Sequence, residues 1–192
     1  FQSIFIDNNK GSKFYGGITN FTLSYSDNES YQSSIDFLRQ QHLAFQKVKP
    51  VIPWTDWVAL KQYNGQFYAY YPCDFSFHFR QSVNDTTFID WTGEGPVANK
   101  INGQKKTGNK TYVFRLTGIN NCEREIAIHI IDINKGIAVF EQIAKGKEKT
   151  YYLMIAADNI KSVPVIVNHW PIQKQAELTF DKPDFEALLK RK

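Results

Sequence analysis

Three carboxylates stand beside tryptophan in this 192-residue chain. Asp56 lies between Trp54 and Trp57, and Asp90 and Glu94 flank Trp91. An indole ring can stack on the apolar face of a sugar while a carboxylate binds its hydroxyls. Two carboxylates brought to roughly 5–10 Å of each other in one cleft can cut a glycosidic bond. The same residue types also occur in ordinary surface turns. The spacing therefore supports two chemistries of different demands: ligand contact by stacking and hydrogen bonding, or hydrolysis by a carboxylate pair.

Other reactive groups are scattered. The four histidines, His42, His78, His129 and His169, fall in four different predicted elements. None forms an i,i+2 or i,i+4 pair, and the chain has no Cys-x-x-Cys, so no metal centre is predicted. Gly93-Glu94-Gly95-Pro96 lacks the form of a phosphate-binding loop, and no Gly-x-Ser-x-Gly elbow is present. No cofactor and no catalytic residue are assigned. Cys73 and Cys122 each lie between strand-like runs. In an oxidising compartment they are candidates for one disulfide, closing a loop of about 50 residues and contributing about 4 kcal/mol through the unfolded chain. In a reducing one they are two unrelated thiols.

Charge is uneven along the chain. Residues 1–96 carry a net −2 and residues 97–192 a net +6, with lysines gathered at Lys100, Lys105, Lys106, Lys110 and at Lys145, Lys147, Lys149. Both groups are punctuated by glycine and read as hairpin tips, where lysine discourages edge pairing. Arginine is scarce, so a nucleic-acid partner is not expected. There is no run of 18 apolar residues, so no transmembrane segment is predicted. An aromatic-rich β chain with two cysteines, no initiator methionine and four Asn-x-Ser/Thr sites (Asn20, Asn28, Asn84, Asn109) reads as exported: periplasmic, cell-surface or secreted.

The elements that must position these groups are mostly strands. Tyr63–Trp91 holds ten aromatics in 29 residues, and Phe75, Phe77 and Phe79 alternate with Ser76, His78 and Arg80. A period of two is that of a half-buried strand. Asn64-Gly65 is the strongest hairpin signal in the chain. Strands are expected at Trp57–Gln62, Gln66–Tyr71, Phe75–Arg80, Thr86–Trp91, Val97–Ile101, Thr111–Thr117, Glu125–Ile133, Gly136–Ile143 and Thr150–Ala156. Ser162–Trp170 is expected at a sheet edge, because Pro164 cannot donate to a ladder. Phe14–Tyr25 is read as a bent strand or strand pair, and Thr92–Asn109 as an insertion loop.

Tyr31, Ile35, Leu38, His42 and Phe45 recur at helical spacing, predicting a helix over about 30–47 capped by Asn28 or Ser30. A short helix is expected at about 182–191, capped by Asp181 with Pro183 in its first turn. The whole predicts a single mainly β domain over 1–192: an antiparallel barrel or two-sheet sandwich of about 8–11 strands with two helices.

On this framework the candidate ligand-binding residues are Trp54, Trp57, Tyr68, Tyr70, His78, Arg80 and Trp91. The expected function is an exported, non-enzymatic binding protein for a small amphipathic or sugar-like ligand. The alternatives are a cell-envelope interaction module and a hydrolase using Asp56, Asp90 or Glu94.

Overall fold

The computed structural model describes residues 3–73, 78–169 and 178–190. Its frame is a closed eight-stranded antiparallel barrel. In chain order the elements are β1 (Ser3–Asp7), α1 (Lys13–Ile18), α2 (Tyr25–Gln40), β2 (Asp56–Tyr63), β3 (Gln66–Tyr71), β4 (Arg80–Val83), β5 (Thr87–Thr92) and β6 (Gly95–Thr107). They continue with β7 (Thr111–Gly118), β8 (Cys122–Asp132), β9 (Ile137–Ala144), β10 (Thr150–Ala156), β11 (Val165–His169) and α3 (Phe185–Leu189). The barrel runs β2-β10-β9-β8-β7-β6-β5-β4 and closes by β4 pairing back onto β2.

β2 is the branch point. Its first half, Asp56–Val58, pairs with β4, and its second half, Leu60–Tyr63, leaves the barrel to pair with β3. β11 then adds parallel to β3, and β1 antiparallel to β11. These three strands form a flap. The Asn64-Gly65 turn joins β2 to β3 with positive φ at both residues, the geometry that a two-residue hairpin of this sequence favours.

Two cores result. Inside the barrel pack Trp57, Phe88, Phe114, Phe140, Met154 and the in-phase isoleucines of β8, Ile126, Ile128 and Ile130. Outside it, the flap and α1 cover the outer face of β2, β9 and β10, burying Val58, Val139, Leu153 and Ile155 against Ala69, Val165, Val167, Tyr15 and Ile18. Packing on both faces explains why these strands carry apolar residues at nearly every position.

Several expectations change. Phe14–Tyr25 contains a helix, α1, not a strand pair: Ser12 caps it, and Tyr15 and Ile18, one turn apart, are its buried residues. The long helix spans Tyr25–Gln40, capped by Ser24 in a capping box with Asp27. It ends where His42 adopts φ 61°. It packs over Ala98 of β6 through Ile35 and Leu38. Thr92–Asn109 is not an insertion loop; most of it is β6, the longest strand, paired on both sides. β11 lies inside the flap rather than at its edge, and Pro164 precedes it, where its carbonyl accepts from the Ala69 amide at 3.0 Å. β1 is the edge. The last helix is shorter than expected, and Asp184 rather than Asp181 caps it. Of the predicted Phe75–Arg80 strand, residues 75–77 lie outside the described residues, as does Trp170; Phe79 packs against the barrel core.

Candidate functional site

The seven sequence-predicted ligand residues fall in three separate places. Trp54 and Trp57 plug the end of the barrel where β2 begins. Their rings meet edge to face at 5.9 Å, and the Trp57 indole N–H donates to the Trp54 carbonyl at 2.9 Å. Tyr68 and Tyr70 lie on the flap face turned away from the barrel, packed with Ile166, Leu178 and Phe180 rather than with the long helix. The Tyr70 hydroxyl accepts from Asn168 at 3.1 Å. His78 is buried nearby, and burial, reinforced by the Arg80 and Lys61 cations, pushes its pKa down to about 3. Arg80 and Trp91 do come together, on the outer wall of the barrel. There the Arg80 guanidinium is sandwiched between Phe21, at 5.2 Å, and Trp91, at 4.7 Å, while also donating to the Asn20 carbonyl. The Trp91 indole donates to Ser82 at 2.8 Å. This is a strut that pins the chain before α2 to the barrel.

Cys73 and Cys122, the candidate disulfide pair, lie at separate elements. Cys73 follows β3 in the flap, while Cys122 opens β8 on the far side of the barrel, and the two are not joined. The three carboxylates also separate. In an antiparallel ladder, paired residues share a face. Trp57 pairs with Gln81 and Gln81 with Asp90, so Asp90 faces the lumen. Asp56 pairs with Ser82 and Ser82 with Ile89, so Asp56 faces outward. Burial, followed by the charge of Asp158, raises the Asp56 pKa. Glu94 sits exposed in the β5–β6 turn.

The register reveals a different constellation at the other end of the barrel, where β2 and β10 separate. They are paired only over Trp57–Ala59 and Met154–Ala156. Beyond that, β2 turns towards β3 while Thr150–Leu153 stay with β9. A groove of about 340 Å³ opens in the gap. Ala59–Gln62 form one wall and Tyr151–Leu153 the other. Phe79, Phe180, Asp181 and Phe185 complete it. Phe79 stacks on Tyr152 at 4.8 Å, Tyr151 stacks on Phe185 at 5.3 Å, and Lys61 lies 5.5 Å over the Phe180 ring. The C-terminal segment is tied in place: the Asp181 amide donates to the Gln62 carbonyl at 2.9 Å, and its carboxylate accepts from the Gly65 amide at 3.0 Å.

Beside the groove, on the lumen face, lies a polar cluster. Gln81 is two residues beyond Phe79 on β4, and Gln142 two beyond Phe140, which pairs with Tyr152. Asp90 is the hub. Its carboxylate accepts from Gln81 at 2.8 Å and from Asn99 at 3.0 Å, and it pairs with Arg124. Arg124 also donates to Gln142 at 3.2 Å. The Arg124 and Asp90 side chains keep 12% and 15% of their surface exposed, so water reaches the pair, whereas Gln81 is 1% exposed. Gly118 lets Asn99 approach: a Cβ there would lie 2.7 Å from the Asn99 amide oxygen.

Of this set, sequence reasoning singled out only Asp90. The others carried a signal nonetheless. Arg124 is in phase with Ile126, Ile128 and Ile130, Gln142 with Ala138 and Phe140, and Gln81 with Val83. A polar residue in register with an apolar face must find a partner inside. Among the described residues no three His, Cys, Asp or Glu side chains gather as a metal site. Comparison with known proteins gives no match: no family model, no curated protein and no solved structure corresponds to this chain.

Proposed function

We propose that this chain is an exported, non-enzymatic binding protein that holds a small amphipathic or sugar-like ligand in the groove between β2 and β10. The observation that carries the proposal is the lining of that groove. Five aromatic rings, Phe79, Tyr151, Tyr152, Phe180 and Phe185, surround a space of about 340 Å³ with one cation, Lys61, and one anion, Asp181. That volume lies in the range of small-molecule sites, which are mostly apolar with a few polar groups and favour the mouths of barrels. Stacked rings offer flat apolar faces to a ligand, and the tyrosine hydroxyls add polar tips. A ligand inside the barrel itself is not favoured, because Trp57, Phe88, Phe114, Phe140 and Met154 fill its middle. Binding without catalysis is supported by the opposite facing of Asp56 and Asp90.

Thermal-shift screening against neutral sugars, alkyl amphiphiles and haem-like compounds tests this. A hit is expected to raise the melting temperature of the native chain and to lose its effect in Tyr152→Ala. Hits that survive Tyr152→Ala and Phe79→Ala alike would place binding elsewhere.

A second reading, an interaction module of the cell envelope, is favoured by β1. This edge strand exposes three consecutive apolar residues, Ile4, Phe5 and Ile6, each more than 40% accessible. A regular apolar edge is a template for pairing. Light scattering on the native chain and on Phe5→Lys checks it: a native oligomer that becomes monomeric in the variant supports pairing through β1, and a monomer in both counts against it.

A further inference from the structure

The C-terminal segment stands on the edge of β2 that β10 leaves. β2 meets β3 along one edge, where Gln62 pairs with Phe67, and β10 along the other. In the β2–β10 register Ala59 faces Met154, so a continued ladder would set Tyr151 opposite Gln62. Tyr151 instead stays with Glu141 of β9. Asp181 takes the vacated place, its amide donating to the Gln62 carbonyl and its carboxylate accepting from the Gly65 amide. Phe180 packs edge to face on Tyr70 at 4.8 Å and Phe185 stacks on Tyr151 at 5.3 Å, so the segment crosses from one wall of the split to the other. The crossing is the weakest part of the wall. β2–β3 and β9–β10 hold by ladders, whereas among the described residues 178–184 join β2 by a single bridge, and the Asp181–Gly65 hydrogen bond is exposed to water. Leu188 fixes α3 in the outer core, but nothing comparable is buried between Phe180 and Phe185. A stretch held by few, solvent-exposed hydrogen bonds opens at lower free energy than the ladders beside it. That stretch and the start of α3 nevertheless supply Phe180, Asp181, Pro183 and Phe185 to the groove.

We propose that Asp181 is the positioning residue of the groove: it latches residues 178–184 across the split, and ligand binding is coupled to that latching. This inference rests on the groove reading above. With the segment released, one side of the groove is missing, so ligand binds the latched form. The apparent Kd is then the intrinsic one divided by the latched fraction. Linkage makes the effect reciprocal, because bound ligand opposes release by the same free energy. The Gly65 amide needs an acceptor rather than a charge. The side-chain oxygen of asparagine supplies one, and alanine does not.

Hydrogen exchange at the Asp181 amide, followed by NMR in the full native chain with and without octyl glucoside below its micelle-forming concentration, reads the latch without any substitution. Exchange is expected to slow by a factor of one plus the ratio of free ligand to Kd, about fourfold at three times Kd. Calorimetric titration supplies the second readout. Losing about one net hydrogen bond shifts latching by about tenfold, so Asp181→Ala is expected to weaken glucoside binding by up to about tenfold, and Asp181→Asn to bind as the native chain does. Equal weakening in Asp181→Asn would overturn the acceptor role. Binding that Tyr152→Ala weakens, with Asp181→Ala binding as the native chain and Asp181 exchange indifferent to ligand, would overturn the latch and leave the groove standing. Binding that Tyr152→Ala does not weaken, or no binding of the glucoside, would overturn both.

Discussion

His78 carries a pH dependence at the scale of one residue. Burial, with Arg80 and Lys61 close by, depresses its pKa from 6.5 to about 3. Between those values the unfolded chain binds a proton that the native state refuses. Stability therefore falls as pH drops from about 6.5 towards 3, with a limiting slope of about 1.4 kcal/mol per pH unit. Urea denaturation across this range is expected to show the slope, and His78→Gln to flatten it. Trp57 makes a second, simpler case. It is fully buried, contacts Phe140 at 5.1 Å and closes the barrel end with Trp54. Trp57→Ala is expected to cost about 3–5 kcal/mol in denaturant unfolding, the scale of losing a large aromatic from a packed core. Both residues stood out in the sequence as candidate ligand contacts. Their types were informative, but their roles depended on which face of which strand they occupied, and that required the register.

At the scale of elements, alternation and turn chemistry were legible where a strand had one turn signal at each end. Asn64-Gly65 and the in-phase isoleucines of β8 led directly to observed structure. Of β6 only Val97–Ile101 was legible; the rest was hidden because Gly103, the lysines and Thr107 suit a loop locally, and pairing with β5 on one side and β7 on the other overrides that preference. α1 was hidden because six residues are too few to show a helical period. The long helix was displaced by about five residues because Phe45, which continued its apparent stripe, packs beside it from an irregular segment. Its true start was written in Ser24 and Asp27, a capping box in which each side chain meets the other's backbone amide. Ser24→Ala is expected to cost about 1 kcal/mol by the same denaturant measurement. Among the four glycosylation motifs, Asn84 is set apart. Its amide nitrogen donates to Tyr31 and its oxygen accepts from Thr86 and Thr87. Asn20, Asn28 and Asn109 are exposed. In a secretory host, mass spectrometry is expected to find Asn84 unmodified whatever happens at the other three.

At the scale of the molecule, the groove follows from one topological event: β2 pairs with the barrel for half its length and with the flap for the rest. Where it leaves, the wall splits, and the aromatics of β10 and the C-terminal segment line the split beside a polar lumen. No periodicity within one strand announces such a change of partner, which is why the sequence did not show that its aromatic candidates fall on three separate surfaces. On the proposed function, ligand binds at this split and not on the tyrosine-bearing outer face of the flap. Aromatic carbon–proton NMR spectra of tyrosine-labelled protein, recorded with and without octyl glucoside, test it most directly. The ring signals of Tyr151 and Tyr152 are expected to move while those of Tyr68 and Tyr70 stay in place. Movement confined to Tyr68 and Tyr70, or no movement of Tyr151 and Tyr152 at saturating ligand, would contradict it.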